Sequence, residues 1–210
     1  MKIAFLGTGN LAVALGKVWT AAGHEIFVAG RSSDNSAKAA AAFSGTAVEP
    51  AALAAVADVI VVALAWEGLP SMLSTAGATE GAFAGKTVID CTNAVDYATG
   101  RLKPETGSAA ELVASLAPGA HVVKALHLFA GTSWPGRTTD GPVVAVCGDD
   151  SGALEVVGEL VEELGGRAVV VGDLSASRQL EEAAGFVMRV VTAGHDPRSA
   201  VPEVRVGESH

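Results

Sequence analysis

Small residues at a fixed spacing near the start of the chain indicate a site for a ligand that contains phosphate. Gly7, Gly9 and Ala12 form a G-x-G-x-x-A pattern between an apolar run, Lys2–Leu6, and a helical pattern over residues 10–22. In such a pattern the first glycine permits a tight turn, the second lets the backbone approach a pyrophosphate, and the small third residue lets the helix pack on the strand. The N–H groups at the start of the helix bind the phosphates. The pattern therefore predicts a dinucleotide-binding site.

The residues after the second predicted strand indicate which dinucleotide binds. Sites for NAD(H) place an Asp or Glu at the end of this strand, where the carboxylate binds the ribose 2′-hydroxyl. Here the strand Glu25–Ala29 is followed by Gly30, Arg31 and Ser32, with no acid. An arginine can pair with a 2′-phosphate and a serine hydroxyl can bind the same group, so the sequence favours NADP(H). The alternative for Arg31 is an ordinary surface arginine, and Asp34 is interpreted as the N-cap of the next helix.

Three further segments are expected near the dinucleotide, because each follows a predicted strand and ligands bind beyond the carboxyl ends of such strands. The strands are predicted at residues 58–64, 86–90 and 121–125. After the first, Trp66 is interpreted either as part of the wall of a cleft or as a core residue. After the second, Asn93 is interpreted either as a ligand for ribose or nicotinamide or as an ordinary turn residue.

His127 follows the third of these strands and is the histidine expected nearest to the nicotinamide. It is interpreted as a general acid, a ligand for the carboxamide or a hydrogen-bonded structural histidine. The sequence contains no spacing typical of a Ser-His-Asp group, paired catalytic carboxylates or a metal site, so we predict neither a catalytic side chain nor a metal. Cys91 and Cys147 each end an apolar run and are expected to be buried thiols.

The elements that must position these residues alternate between strand and helix. Short runs rich in Val and Ile are typical of parallel strands buried on both faces. The remaining strands are predicted at residues 47–48, 143–147 and 167–171. Helices are predicted at residues 34–43, 50–57, 66–75, Ala109–Leu116, 151–164 and 174–193, with Asp149 or Asp150 capping the helix at 151. This order predicts an α/β fold, a Rossmann-type doubly wound, mainly parallel sheet over residues 1–172 with a short C-terminal helical extension over residues 173–210.

Two segments late in the chain are expected to matter for function or assembly. Residues 130–142 are rich in Gly, Pro, Ser and Thr and are predicted to form a loop, which at this length is often functional. The last helix has one apolar face, which is expected to pack on the sheet or on a second subunit. This face consists of Leu180, Ala184, Val187 and Val191. We therefore expect a homodimer, and an extended tail over residues 195–210.

The composition limits the possible functions. The chain has 210 residues, half of them hydrophobic, which suits one domain with a sizeable core. A formal net charge of −9 argues against a nucleic-acid partner. No apolar run approaches the roughly 20 residues of a membrane span, and the N-terminus leads directly into a strand, so we expect neither a membrane anchor nor a secretory signal. The predicted location is the cytoplasm.

With these features in place, the chain resembles the NADP oxidoreductases that depend on coenzyme F-420, a deazaflavin. The resemblance covers most of the chain. It is carried by MKIAFLGTGNLAVAL, GHEIFVAGR, the Trp-Glu pair at Trp66, VVKALH ending at His127, VCGDD ending at Asp150, and LSASR ending at Arg178. It implies direct hydride transfer between NADPH and the deazaflavin with the two rings stacked, a step that needs no general acid or base.

The resemblance also implies which residues hold each partner. For NADP(H) these are Gly7, Thr8, Gly9, Asn10, Leu11, Arg31, Ser32, Ala63, Leu64, Ala65, Trp66, Thr92, Asn93 and Ala94. For the second substrate, the small-molecule hydride acceptor, they are His127, Phe129 and Ala130. Because coenzyme F-420 carries a phosphate and a polyglutamate tail, a basic groove is also implied. The candidates for that groove are Lys124, Arg137 and Arg178.

Two departures keep other readings open. Relatives often have Ser where this chain has Gly30, and the acidic net charge of −9 does not favour a polyanionic substrate. One alternative is an NADPH-dependent reductase of another small acceptor, such as an imine, a ketone or a flavin. The other is an NADP(H)-binding sensor without turnover.

Overall fold

The computed structural model describes residues 1–129 and 141–201 and contains one large sheet flanked by helices. The strands are β1 Lys2–Leu6, β2 Glu25–Ala29, β3 Thr46–Ala47, β4 Val59–Val62, β5 Thr87–Asp90, β6 Val95–Asp96, β7 Arg101–Leu102, β8 His121–Lys124, β9 Val143–Gly148 and β10 Arg167–Val170. The helices are α1 Asn10–Ala21, α2 Ser33–Phe43, α3 Leu53–Val56, α4 Leu69–Thr75, α5 Ala109–Leu116, α6 Ser151–Glu163 and α7 Ser177–Thr192.

The eight-stranded sheet has the order β10-β9-β8-β5-β4-β1-β2-β3. From β3 to β8 neighbouring strands are parallel, so their carboxyl ends meet at one edge. The unit β9–α6–β10 is internally parallel but pairs with β8 in the opposite direction. The predicted doubly wound, mainly parallel α/β sheet is confirmed. The direction of β9 relative to β8 was not predicted, because the residues of a strand do not show how it is oriented against its neighbour.

The core lies on both faces of this sheet, as expected when strands are buried on both sides. Helices α1, α2 and α6 cover one face, and α3, α4 and α5 cover the other. On the first face Trp19 is fully buried, stacks on Phe5 with ring centroids 5.8 Å apart, and donates its indole N–H to the carbonyl of Leu160. These contacts fix α1, and with it the first turn that carries the Gly-rich pattern.

Several local expectations need correction. Two predicted helices are shorter, because each begins with a turn of 3-10 helix, at Pro50–Ala52 and Trp66–Gly68. The small antiparallel hairpin β6–β7 was not predicted, since two-residue strands carry too little pattern. Asp34 is not the N-cap of α2; the hydroxyl of Ser32 accepts the N–H of Asn35 and caps the helix. Asp150 caps α6, as one of the two predicted residues.

Helix α7 folds back over the carboxyl edge of the sheet. A turn of 3-10 helix, Leu174–Ala176, precedes it, and α7 then packs against α5 and the β6–β7 hairpin. The predicted loop, with Ala130, Trp134 and Arg137, and the end of the predicted tail lie outside the described residues. No helix in the described ranges is long and apolar enough to cross a membrane.

Candidate functional site

The turn between β1 and α1 requires the first glycine of the pattern. Gly7 has φ of +129°, and a Cβ there would lie 2.1 Å from the carbonyl oxygen of Ala63. Its N–H donates to the carbonyl of Ala29 at 2.8 Å. Positive φ and close backbone approach both favour glycine, so the role expected of Gly7 has a direct structural reason.

The second glycine leaves the start of α1 open. Gly9 is the N-cap of α1, no side chain caps the helix, and nothing lies within 4 Å of an ideal Cβ at this position. Gly9 and Asn10 are exposed. The first N–H groups of a helix have no partners within the helix and attract anions. The open helix start is suited to a pyrophosphate, and phosphate binding by residues 7–12 stays a prediction.

The predicted 2′-phosphate residues lie at the end of β2. Arg31 is exposed and its side chain makes no hydrogen bond or ion pair with the rest of the described chain. Ser32 is half-buried and uses its hydroxyl as the acceptor that caps α2. A Cβ at Gly30 would lie 2.8 Å from Cγ2 of Thr8, so a larger residue would displace that side chain. The close contact with Thr8 gives a physical reason for glycine before the arginine.

A cleft of about 520 Å³ lies between the start of α1, the carboxyl ends of β4, β5 and β8, and α7. It brings together the predicted residues Leu11, Leu64, Ala65, Trp66, Asn93, His127 and Phe129. Thr92 and Ala94 are buried and do not line it. Ala63 lies against Gly7 outside the lining. The alternation of the backbone explains the division, because Asn93 faces the cleft while its two neighbours face the interior.

Further lining residues fall into two groups that were expected from the sequence. Glu67, Cys91, Val95, Leu126 and Leu128 belong to the three segments that follow strand ends, and Ala184, Val187 and Val191 belong to the apolar face of α7, which was predicted to pack on the sheet or on a second subunit. Sequence reasoning missed Tyr97, Lys103 and Met188. Lys103 donates to Glu67 across the cleft mouth. Cys91 is buried as expected, and burial raises the pKa of its thiol well above the usual value, so it is not a nucleophile near neutral pH.

His127 is held in its neutral form. Its side chain is 7% exposed, and burial, together with the positive charge of Lys124, lowers the pKa of the imidazole to about 3. A general acid at neutral pH would need a pKa near 7, so His127 does not fill that role. A neutral imidazole instead offers one N–H donor and one nitrogen acceptor.

Asn93 and His127 are joined by one hydrogen bond, and each has one or more polar atoms without a hydrogen-bond partner among the described residues. The amide of Asn93 donates to the backbone carbonyl of His127 at 2.7 Å. The Asn93 Oδ1 atom and both ring nitrogens of His127 are buried and have no hydrogen-bond partner among the described residues. Leaving a buried polar atom unpaired costs about 1–3 kcal/mol. Asn93 and His127 both line the cleft, so a ligand there that carries hydrogen-bond donors and acceptors would suit them.

A fully buried ion cluster lies next to Asn93 and His127. Lys124 is 0% exposed, and its Nζ lies 2.9 Å from Asp90 Oδ2 and 2.9 Å from Glu181 Oε1. It also donates to the carbonyl of Thr92. Burial alone would lower the pKa of Lys124, but the two carboxylates outweigh burial and raise it. Lys124 is thus a charged structural residue, and its expected role in a basic surface groove is wrong.

The same cluster fixes the turn that carries Asn93. Asp90 Oδ1 accepts the N–H of Thr92 at 3.0 Å. Glu181 accepts the N–H of Ala94 at 3.4 Å and, at 2.9 Å, that of Ala109 at the start of α5. The turn is therefore held on both sides of Asn93, by residues from β5, β8 and α7. Sequence reasoning missed this role, because the three charged residues lie far apart along the chain.

Arg178 is also committed elsewhere. Its guanidinium lies 3.1 Å from Glu182 and donates to the carbonyl of Gly107 at 2.8 Å. It therefore joins α7 to the segment before α5 and is not a free surface cation. Within the described ranges, no group of His, Cys, Asp and Glu side chains could hold a metal ion.

Comparison with known proteins identifies the family. Residues 2–94 match the model of the family described as NADP oxidoreductase, coenzyme F-420-dependent. An F-420-dependent NADP reductase of Methanothermobacter marburgensis is 30% identical over an alignment of 200 residues that covers 87% of this chain and 88% of that protein. The chain belongs to this family. The predicted resemblance is confirmed, and the chain is an NADP-dependent oxidoreductase.

Solved structures agree on the fold. The crystal structure of a putative F-420-dependent NADP reductase from Arthrobacter has a TM-score of 0.80 and 27% identity, over 93% of this chain and 96% of that one. An imine reductase of Streptomyces aurantiacus has a TM-score of 0.68 and 17% identity, over 92% of this chain and 64% of that one. The second likeness shows the fold alone, and that enzyme has additional chain.

Proposed function

We propose that this oxidoreductase transfers hydride between NADP(H) and coenzyme F-420 in the cleft at the carboxyl edge of the sheet. The observation that carries the proposal is the continuity of two features. An open helix N-terminus at Gly9 lies at one end, and an apolar cleft with the unpaired polar atoms of Asn93 and His127 lies at the other. A dinucleotide bound at the first feature would bring its nicotinamide to the second.

In this proposal the start of α1 and the end of β2 bind NADP(H). The backbone around Gly9 and Asn10 would bind the pyrophosphate, and Thr8 and Leu11 would contact the nucleotide beside it. Arg31 would pair with the 2′-phosphate, because its guanidinium is exposed and not committed to another charge. Ser32, the N-cap residue of α2, would contribute to binding of the same 2′-phosphate. Ala63 to Trp66 and Thr92 to Ala94 would contribute mainly backbone and apolar contacts.

The remaining cleft would hold the deazaflavin. Trp66, Phe129 and Val187 supply apolar wall, and a volume of about 520 Å³ is in the range of sites for ring compounds. When both partners are bound, the nicotinamide and the deazaflavin exchange a hydride, and the deazaflavin takes up or releases one proton with solvent. The edge of His127 and Asn93 would orient a ring through hydrogen bonds, because both side chains have unpaired atoms there.

The chain's contribution to rate would be orientation and exclusion of water. His127 does not serve as an acid or base near neutral pH, because its pKa is about 3. Holding two reactants in the reactive geometry can itself supply several kcal/mol of the barrier, about 7–11 in the best cases. The turn held by Asp90, Lys124 and Glu181 would keep Asn93 in that geometry.

The second substrate is tested by offering several acceptors to the purified protein. NADPH oxidation would be followed by its absorbance with coenzyme F-420, riboflavin, a cyclic imine or a ketone, and NADP⁺ reduction with the reduced deazaflavin. We expect exchange in both directions with the deazaflavin and little with the others. Turnover of the imine alone would favour the imine reductase function, and nucleotide binding without any turnover would favour a sensor.

We further propose a homodimer in the cytoplasm. Phe186 on α7 is 48% exposed and does not line the cleft, which supports an apolar surface that a second copy would cover. Both cysteines are free thiols, in keeping with a reducing compartment. Light scattering after gel filtration tests assembly: about twice the chain mass is expected, and a monomer for the unmodified protein would contradict the proposal.

A further inference from the structure

A second groove adjoins the cleft at Tyr97. It has a volume of about 480 Å³ and lies between the β6–β7 hairpin and α7. We call it the basic groove; its lining residues are Tyr97, Ala98, Thr99, Arg101, Arg189, Thr192 and Ala193. Tyr97 lines both the cleft and the basic groove and is 58% exposed. A ligand in the cleft can therefore extend past this ring into the basic groove.

The charge of the basic groove is opposite to that of the whole chain. Its charged lining residues are two arginines, while the chain carries a net charge of −9. The Arg101 side chain has no hydrogen bond or ion pair with the described residues. Asp96, opposite Arg101 in the hairpin, is directed to the backbone instead, where its Oδ1 accepts the N–H of Ala98 at 2.9 Å. The positive charge of Arg101 is thus available to a ligand.

Arg189 is held in place by the backbone beneath it. A Cβ at Gly100 would lie 2.4 Å from Cγ of Arg189, so the arginine stem packs directly on this glycine. A Cβ at Gly185 would lie 2.2 Å from the carbonyl oxygen of Gly100, so α7 and the hairpin meet at backbone distance. The Arg189 Nη1 atom donates to the carbonyl of Thr99 at 3.0 Å. One donor anchors the guanidinium and its other N–H groups remain for a ligand.

We propose that Arg101 and Arg189 bind an anionic extension, phosphate or carboxylate, of the ring compound that occupies the cleft. The inference rests on the proposed function and names the part of the chain that would recognise the tail of coenzyme F-420. Arginine suits both anions, because its planar donors match phosphate and carboxylate oxygens. The basic groove takes the role first expected of Lys124, which forms a buried ion pair with Asp90, and of Arg178, which pairs with Glu182 on α7.

The test compares coenzyme F-420 with its tail-free deazaflavin core. KM for each, and KM for NADPH, would be measured for the unmodified protein, Arg101→Ala, Arg189→Ala and the double variant. The matched control is Arg167→Ala, which removes an exposed arginine at the start of β10, in another part of the sheet. One charge-assisted contact is worth about tenfold in affinity, so we expect each groove variant to raise KM for the intact coenzyme about tenfold.

The proposal is judged by which of the three KM values changes in the groove variants. The groove variants should change KM for the tail-free core and for NADPH by less than about twofold, and added salt should raise KM for the intact coenzyme less steeply in the double variant. If the unmodified enzyme uses the intact coenzyme but the double variant shows no selective rise in KM for it, the proposed role of the basic groove is overturned. The proposed function is then unaffected. An equal rise for NADPH would assign the arginines to the nucleotide and overturn the proposed role of the basic groove as well. Absence of turnover with either deazaflavin contradicts the proposed function, and equilibrium binding of the two compounds then decides the basic groove separately.

Discussion

At the residue scale, we propose that the choice between NADPH and NADH depends on the end of β2. Arg31 replaces the acid that an NAD(H) site would carry, and its guanidinium is exposed with no ion pair among the described residues. The Ser32 hydroxyl already accepts the N–H of Asn35, so its neutral O–H is the donor that it could offer to a phosphate. We therefore assign most of the discrimination between NADPH and NADH to the single arginine.

The variant Arg31→Ala tests this assignment. Loss of a charge-assisted contact to the 2′-phosphate should weaken NADPH binding by about 1.5–3 kcal/mol, while NADH, which lacks that phosphate, is affected little. Equilibrium titrations with both nucleotides measure the effect, with Lys17→Ala on the exposed face of α1 as a control. Equal losses for NADPH and NADH would rule out a 2′-phosphate role.

The buried state of His127 makes stability depend on pH. Its folded-state pKa is about 3, below the unfolded value of about 6.5, so the unfolded chain binds the proton first as the pH falls. The free energy of unfolding should be unaffected above about pH 6.5 and decline below it, by about 2 kcal/mol at pH 5 from this group.

Urea denaturation at a series of pH values measures this decline. Comparison with His127→Asn separates the contribution of His127 from that of the other groups. The variant should show a shallower decline between about pH 6.5 and pH 4. Identical profiles for the two proteins would show that the imidazole is not held neutral by the fold.

At the scale of elements, the two glycines of the first turn have separable roles. At Gly7 a Cβ would meet the backbone of Ala63, whereas at Gly9 it would meet nothing within 4 Å, and the backbone of Gly9 is extended, with φ of −78°. Gly9→Ala should therefore keep its melting temperature but bind NADPH at least about tenfold more weakly, because the methyl group occupies the space of a phosphate.

Gly7→Ala is the matched comparison. It should lower the melting temperature, because both the positive φ and the contact with Ala63 oppose a side chain there. Calorimetry and nucleotide titration on both variants test the distinction. Unchanged NADPH affinity in Gly9→Ala would contradict a pyrophosphate site at α1.

The ion cluster joins β5, β8 and α7. Lys124→Met would leave the carboxylates of Asp90 and Glu181 buried without their cation, so we expect a loss of about 3–5 kcal/mol in the free energy of unfolding. The triple variant Asp90→Asn, Lys124→Met, Glu181→Gln removes all three charges and should recover part of that loss. Chemical denaturation provides the measurement, with Lys38→Met on the exposed face of α2 as control. A loss no larger than in the control would contradict the cluster.

The same elements show what could be predicted from the sequence. The pattern around Gly7 and Gly9 is local, and its surroundings of strand and helix were readable from neighbouring residues. Lys124 was assigned to the surface because its partners, Asp90 and Glu181, approach it only in the folded chain. The cleft was predicted in outline from strand ends, but the wall formed by α7 depends on how this helix folds back, which periodicity alone does not specify.

At the scale of the whole molecule, the Gly-rich turn after β1, the apolar cleft and the basic groove lie along one edge of the sheet. Helix α7 contributes to the cleft through Val187 and Met188, and to the basic groove through Arg189. The division into residues 1–172 and 173–210 stays a prediction. In the structure α7 contacts α5 and the hairpin, so the extension contributes directly to the candidate site.

Direct hydride transfer between NADPH and coenzyme F-420 can be followed with an isotope label. NADPH carrying deuterium at the transferable position of nicotinamide C4 would be incubated with the enzyme and coenzyme F-420 in ordinary water. Mass spectrometry would then locate the label. Direct transfer should place one deuterium in the reduced deazaflavin and none in the solvent. Label lost to water would contradict direct transfer, and so would NADPH that is oxidised by an imine or a flavin but not by coenzyme F-420.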